Sequence, residues 1–245
     1  MSTVVSKSLI NNTFKTKGDS FFANNEFKEA VSNYLNALLL DRNNAEIYYL
    51  LGVCYKKWGK LTKAVEYLEK AVMLDSDKSD YFYQLGLCHM AEDTPCKAIK
   101  CFIQSIQLEP ENPEVIYYLG LAHECCDEPD MAMMIYQKLI ENSPNYISAY
   151  LRKSYLLSKM GVYSQALSLY LNALKINPKY TKVYSEIGLC FDKLGNSRDA
   201  KRYYRKFLSA EPQDEKAVKV LTRIENLRKI EPKNNNQRKV KLEIV

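Results

Sequence analysis

The sequence predicts an all-α protein built from repeated antiparallel helix pairs, and three observations carry that prediction. The stretch YYLLGVCYKKW at residues 48–58 returns 34 residues later as FYQLGLCHMAE, and after another 34 as IYYLGLAHECC. Within each 34 residues, apolar side chains fall at helical spacing in two runs. Glycine and proline number only 8 each in 245 residues, which is too few for a turn-rich β fold.

The repeat divides residues 11–214 into six blocks of 34 residues without insertion or deletion. The blocks are 11–44, 45–78, 79–112, 113–146, 147–180 and 181–214. The eighth position is glycine in every block but the fifth, which has Ser154, and the twentieth is always alanine. The twenty-fourth is always bulky: Tyr34, Leu68, Phe102, Tyr136, Tyr170 and Tyr204. Small residues opposite a large one predict two helices in close contact.

Glycine and proline mark the ends of these helices. Gly59, Gly161 and Gly195 stand at the fifteenth position, between the two apolar runs. Pro95 and Pro129 stand at the seventeenth, where a proline is tolerated as the first helical residue because its missing N–H had no partner there. A proline at the thirty-second position of four blocks is expected to end the second helix: Pro110, Pro144, Pro178 and Pro212.

This pattern resembles the tetratricopeptide repeat, a 34-residue unit with Gly or Ala at position eight, Ala at twenty, an aromatic residue at twenty-four and Pro at thirty-two. The resemblance covers residues 11–214 and implies a right-handed superhelical solenoid of antiparallel helix pairs. Because each pair buries its apolar face only by stacking on a neighbour, both ends of such a stack need a polar cap. The resemblance thus leads us to expect a special helix at the end of the stack.

The segments outside the six blocks are expected to differ from them. Residues 1–10 are taken as an N-terminal extension, and residues 230–245 as a basic, flexible tail. Residues 215–229 continue the register and are predicted to form a C-terminal capping helix. Its predicted buried side carries Ala217, Leu221 and Ile224, and its predicted solvent side carries Lys216, Lys219, Arg223 and Arg228.

Composition favours a soluble cytoplasmic protein. The first ten residues contain no apolar leader segment, and no window approaches about 18 uninterrupted apolar residues, so neither export nor membrane insertion is expected. The seven cysteines are an odd number scattered through predicted helices, which fits a reducing compartment. The repeats hold 25 basic and 25 acidic residues, so we interpret the body as neutral and the end of the chain as basic.

No catalytic, metal or cofactor site is predicted. His89 and His123 both occupy position eleven, which is aromatic in three other blocks, so both are interpreted as packed rings. No Cys-x-x-Cys pair with zinc-ligand spacing accompanies them. Cys54, Cys88 and Cys190 at position ten are interpreted as small buried side chains, and the remaining thiols as structural. Neither a glycine-rich phosphate loop nor a nucleophile elbow is present.

The resemblance places positions two, five and nine of each first helix on a concave face. From the second to the fifth block, positions five and nine are apolar or aromatic: Tyr49, Val53, Tyr83, Leu87, Tyr117, Leu121, Leu151 and Tyr155. Position two supplies an acidic rim: Glu46, Asp80 and Glu114. We therefore predict a scaffold whose groove holds a peptide or amphipathic helix of a partner protein, with basic residues flanking the apolar anchors.

The chaperone-tail binders of this family clamp a carboxylate with Lys and Asn side chains at fixed positions. In this chain those positions read Lys15, Asp19, Leu50, Asp80 and Gln84, and only Lys15 matches, so that ligand is not expected.

Three alternatives stay open at this point. The apolar positions would also serve packing between repeats, or contacts in a homo-oligomer. The end of the chain, KVKLEIV, alternates like a short strand and would reach the groove of its own chain. The basic tail would also suit a nucleic acid or an acidic partner, although a neutral body gives no support to nucleic-acid binding.

Overall fold

A computed structural model gives the fold of residues 2–230, with side chains described for residues 9–227. The predicted tail at 230–245 lies outside these residues, except for Ile230. The described chain is helical and divides into two compact units, residues 2–135 and 136–230. The predicted all-α fold of antiparallel helix pairs is thereby confirmed for the residues described.

The first unit consists of consecutive helices that pack in pairs, each pair resting on the next. Its helices are α1 Ser2–Ala23, α2 Phe27–Leu40, α3 Ala45–Lys57, α4 Leu61–Leu74, α5 Ser79–Ala91, α6 Pro95–Leu108 and α7 Pro113–Cys125. The following helix, α8 Pro129–Asn142, contains the boundary between the units. The first helices α3, α5 and α7 also contact one another in sequence, and so form one continuous face.

The second unit repeats this arrangement with one irregularity. Its helices are α9 Ile147–Lys159, α10 Tyr163–Ile176, α11 Tyr184–Lys193, α12 Ser197–Ala210 and α13 Ala217–Ile230. The first turn of the last pair is a 3₁₀ helix, Thr181–Val183, that leads into α11. In both units every second helix begins at position seventeen of its block and ends at position thirty, so the period of the sequence is also the period of the backbone.

The two helices of a pair touch where the sequence alternates small and large residues. The six alanines at position twenty are fully buried. In α5, a Cβ built on Gly86 would lie 2.5 Å from the ring of Phe102 in α6, and the same 2.5 Å approach recurs between Gly188 and Tyr204. Since real Cβ atoms do not approach a ring this closely, the glycine sets the separation of the helices and the large residue fills the space it leaves.

The turn within each pair follows one backbone pattern. Position fifteen is left-handed in all six blocks, with φ between 57° and 81°. In each block the N–H at position sixteen donates to the carbonyl at position eleven over 2.9 Å, as in a Schellman motif. Glycine adopts this conformation freely, and asparagine and aspartate tolerate it. The sequence signalled the glycines but not Asn25, Asp93 and Asp127, which occupy the same position.

The two ends of the described chain add detail to the repeats. Helix α1 begins at Ser2, so within the predicted N-terminal extension residues 2–10 continue the first helix. In α13 the buried residues are Ala217, Val220, Ile224 and Leu227. Leu221 is 51% exposed, so its predicted place on the buried side was wrong. Helix α13 packs mainly on α12, and the side that it buries there carries Val220 and Leu227 in place of Leu221.

None of the helices found in residues 2–230 combines the length and the apolar character needed to cross a membrane.

The contact between Gly86 and Phe102 gives a stability prediction. We expect Gly86→Val to lower the free energy of unfolding by about 2–3 kcal/mol, because the added carbons would force the helices of this pair apart. The control is Gln104→Val on α6, whose exposed side chain makes the change cost about 0.5 kcal/mol or less. Urea unfolding followed by circular dichroism measures both. Equal losses would show that the close approach does not constrain the pair.

Candidate binding surfaces

In the first unit, five of the predicted groove residues lie on the face formed by α3, α5 and α7. They are half-buried, which leaves part of each side chain open to a ligand: Tyr49, Val53, Leu87, Tyr117 and Leu121. We call these five residues the apolar row. The ring of Tyr49 stacks on Tyr81 at 4.7 Å between centroids, which fixes its orientation.

Tyr83, by contrast, belongs to the core. Its ring is 8% exposed and packs against Phe102 and Tyr118, with centroids 6.2 and 5.9 Å away. Its ring therefore leaves little surface for the groove contact that the sequence predicted. Position five is tyrosine in three successive blocks, so residue type alone does not predict which of these tyrosines is buried. Tyr83 is buried because the rings of Phe102 and Tyr118 pack against it.

The acidic rim is partly engaged within the chain. Glu46 accepts a hydrogen bond from Lys15 Nζ over 2.5 Å, and Asp80 accepts one from the Tyr49 hydroxyl. Burial, reinforced by the bond to Asp80, raises the pKa of Tyr49, so its hydroxyl stays a donor at neutral pH. Both bonds join position five of one block to position two of the next, 31 residues later. The sequence shows these residues at a spacing of 31, but the bonds follow from that spacing only when successive first helices are known to be in contact.

A further bond crosses the same face, from Lys56 Nζ to Gln84 Oε1. Desolvation by burial lowers the pKa of Lys56. Each of these contacts ties one first helix to the next. They therefore hold α1, α3 and α5 in register with one another, and with them the part of the apolar row on α3 and α5.

In the second unit, the predicted groove residues are Leu151, which is half-buried, and Tyr155, which is 39% exposed. The Arg152 guanidinium and the Lys159 ammonium lie 5.5 and 5.0 Å from the centre of the Tyr155 ring. Both distances are within cation–π range. This ring thus has two cationic groups beside it.

The charges of the two units differ in sign. Residues 1–135 carry 13 basic and 19 acidic side chains, whereas residues 136–230 carry 18 basic and 8 acidic ones. No aspartate or glutamate occurs between Asn142 and Ser185. The neutral body expected from the sequence is therefore the sum of a negatively charged first unit and a positively charged second unit. The first unit favours basic ligands, and the second favours acidic ones.

Each histidine contacts a polar side chain at the end of the turn within its helix pair. His89 is 4% exposed, and its Nδ1 lies 3.3 Å from the hydroxyl of Thr94. His123 Nδ1 lies 2.6 Å from a carboxylate oxygen of Glu128. In both cases the partner is at position sixteen, where the turn ends. Desolvation by burial lowers the pKa of His89, which favours the neutral ring. Within residues 2–230, no group of three or more His, Cys, Asp or Glu is placed to hold a metal ion.

The seven cysteines fall into three groups by exposure. Cys54, Cys88 and Cys190 are buried, as predicted, and burial raises the pKa of each thiol to about 11. Cys96 and Cys125 are exposed.

Two of the remaining thiols lie near the surface. Cys126 is half-buried, and its Sγ lies 3.3 Å from that of Cys96. Cys101 is also half-buried. The sequence placed Cys96 and Cys126 30 residues apart, and only the packing of α6 on α7 brings them together.

Comparison with known proteins identifies the repeat. A tetratricopeptide repeat model matches residues 45–78, 147–180 and 181–214, and a second TPR repeat model matches residues 18–59. Together these cover more than half of the chain. No curated protein sequence matches it.

Several solved structures share the fold. MamA is 30% identical with a TM-score of 0.64, over 67% of this chain and 96% of MamA. PilF from Pseudomonas aeruginosa is 18% identical with a TM-score of 0.72, over 89% and 99% of the two chains. YrrB, a TPR protein with an unusual peptide-binding site, is 20% identical with a TM-score of 0.65, over 77% and 97%.

Thiol accessibility gives a second prediction. In the native protein, a thiol reagent should react rapidly with Cys96 and Cys125, because both are exposed. Cys54, Cys88 and Cys190 should react only as the protein unfolds, because they are inaccessible and hold their protons at neutral pH. Ellman's reagent with and without denaturant measures this. The double variant Cys96→Ser, Cys125→Ser should lose the rapid phase, and an unchanged rapid phase would contradict the assignment.

Proposed function

Because the chain belongs to the tetratricopeptide repeat family, we propose that it is a non-catalytic scaffold that binds a segment of a partner protein along the apolar row of its first unit. The observation that carries this proposal is the row itself. Five half-buried apolar side chains from three touching helices form one face, and two side-chain bonds join α3 to α5 within it.

A peptide or an amphipathic helix suits such a face. Its apolar side chains would fill the spaces beside Val53, Leu87 and Leu121, and burying one such side chain contributes roughly 1.5–3 kcal/mol before ordering costs. Two or three anchors are therefore sufficient for affinities on the order of micromolar. The peptide-binding site of YrrB, which shares the fold, supports a peptide as the type of ligand.

The acidic rim indicates where a basic residue of the ligand would bind. Since Lys15 already neutralises Glu46, a basic residue of the ligand would meet Asp80 and Glu114 in preference to Glu46. The net negative charge of the first unit would further favour a segment that carries lysine or arginine beside its apolar anchors. This is the ligand expected from the sequence, with its basic contact moved along the face by one helix pair.

The test compares two variants, each of which replaces two large apolar side chains with serine. Leu87→Ser with Leu121→Ser should weaken binding of the captured partner segment at least tenfold, because two anchors lose their contacts. Leu39→Ser with Met73→Ser, on the outer sides of α2 and α4 where these residues are 70% and 85% exposed, should change it less than about twofold. Affinity capture from a lysate identifies the partner, and calorimetry with its synthetic segment gives the dissociation constants.

Thermal melting must first show that both variants remain folded, since Leu87 and Leu121 are half-buried. If the outer variant loses binding as strongly as the row variant, or if neither loses it, the apolar row serves packing and the proposal fails.

A further inference from the structure

The second unit contains a cleft between α11, α12 and α13 that the sequence did not suggest. Its volume is about 590 Å³. Its walls come from the first helix of the last pair and from the helix expected to serve as a cap. The lining includes four cations, two carboxylates and an apolar floor of Leu189 and Val220.

Two of the four cations are fixed by the carboxylates. Arg223 Nε and Nη2 donate to the two oxygens of Asp192 over 2.5 and 2.7 Å, in a bidentate pair. The Tyr204 hydroxyl donates to the same carboxylate over 3.4 Å. Lys216 Nζ lies 2.7 Å from Glu186 Oε1. The side chain of Asp192 is 7% exposed, so this half of the cleft is internally neutral and held in place.

The other two cations, Lys193 and Lys219, remain available. Both are exposed, and neither forms an ion pair with any residue in the part of the chain that the structure describes. With Glu186 and Asp192 both neutralised, these lysines leave the cleft with two positive charges above an apolar floor. The positive balance of residues 136–230 reinforces the field at this site.

We propose that this cleft binds an acidic segment of a partner protein, with two neighbouring carboxylates on Lys193 and Lys219 and an apolar side chain on Leu189 and Val220. The proposal rests on the function proposed above, in that the ligand is a protein segment, but it concerns a different unit and different residues. Helix α13 is accordingly a wall of a binding site as well as the last helix of the stack.

The lining distinguishes an acidic peptide from a nucleic acid. Single-stranded nucleic acids are held by continuous basic grooves with aromatic rings on which the bases stack. Here the basic lining is interrupted by Glu186 and Asp192, and the one aromatic residue of the cleft, Tyr204, is 4% exposed and unable to serve as a stacking platform. Two separate cations above an apolar floor suit carboxylates spaced along a peptide instead.

The experiment uses the full chain and a fluorescein-labelled 12-residue peptide of alternating glutamate and leucine, read by fluorescence anisotropy at low salt. A peptide of alternating glutamine and leucine is the matched ligand. We expect the glutamate peptide to bind at least tenfold more tightly, and Lys193→Glu with Lys219→Glu to remove that preference. Both lysines are exposed, so the variant should keep its melting temperature within a few degrees.

The control makes the same change in charge elsewhere in the unit. Arg202→Glu with Arg205→Glu alters two exposed residues of α12 that are absent from the cleft lining, and it should reduce affinity for the glutamate peptide less than about threefold. Equal losses in both variants would show that diffuse charge attracts the peptide, and would overturn the proposal.

Three other results would also overturn it. The first is equal affinity for the glutamate and glutamine peptides. The second is tighter binding of a labelled dT12 oligonucleotide, which the cleft variant abolishes. The third is self-association of the chain without peptide binding, which the cleft variant likewise abolishes. Each outcome is independent of the apolar row, because Leu87→Ser with Leu121→Ser leaves the cleft intact. Failure of one proposal is thereby distinguishable from failure of the other.

Discussion

The close approach of the two helices in each pair is the constraint on which the rest of the structure depends. It requires a residue without a side chain, or with a very small one, where the first helix crosses the second, and a large residue from the second helix beside it. Gly86 against Phe102 meets this requirement in the first unit, and Gly188 against Tyr204 meets it in the second. Once this separation is fixed, the turn at position fifteen has one backbone solution, and successive pairs repeat it.

The regular stacking that follows places residues about 31 positions apart in contact, and these contacts give each binding face its character. In the first unit they join Lys15 to Glu46 and Tyr49 to Asp80. In the second, a contact of the same span joins Asp192 to Arg223. One geometric rule thus produces an acidic, aromatic face in one unit and a basic cleft in the other, because the rule fixes which positions meet and leaves their chemistry to the sequence.

The fold was predictable because every block repeats the same pattern. A single short apolar run is ambiguous between helix and strand, but six blocks with the same spacing all favour a helix pair. The structure places each second helix at the same positions of its block. The site was less predictable, since it depends on residues that vary. Tyr83 shares its position with Tyr49, yet Phe102 and Tyr118 bury the one, while the other keeps part of its ring at the surface. Leu221 followed the expected stripe of α13 but is exposed.

The sequence by itself determined the helix pairs, their lengths, the positions at which they touch and the family to which they belong, because these follow from local spacing repeated along the chain. Only the tertiary structure decided which apolar residues are half-open and which are core, that Cys96 meets Cys126, and that Lys193 and Lys219 line a cleft without an ion pair to any residue from 9 to 227. Those properties depend on which neighbour a side chain meets across a helix interface, and burial and pairing are decided there by both partners together.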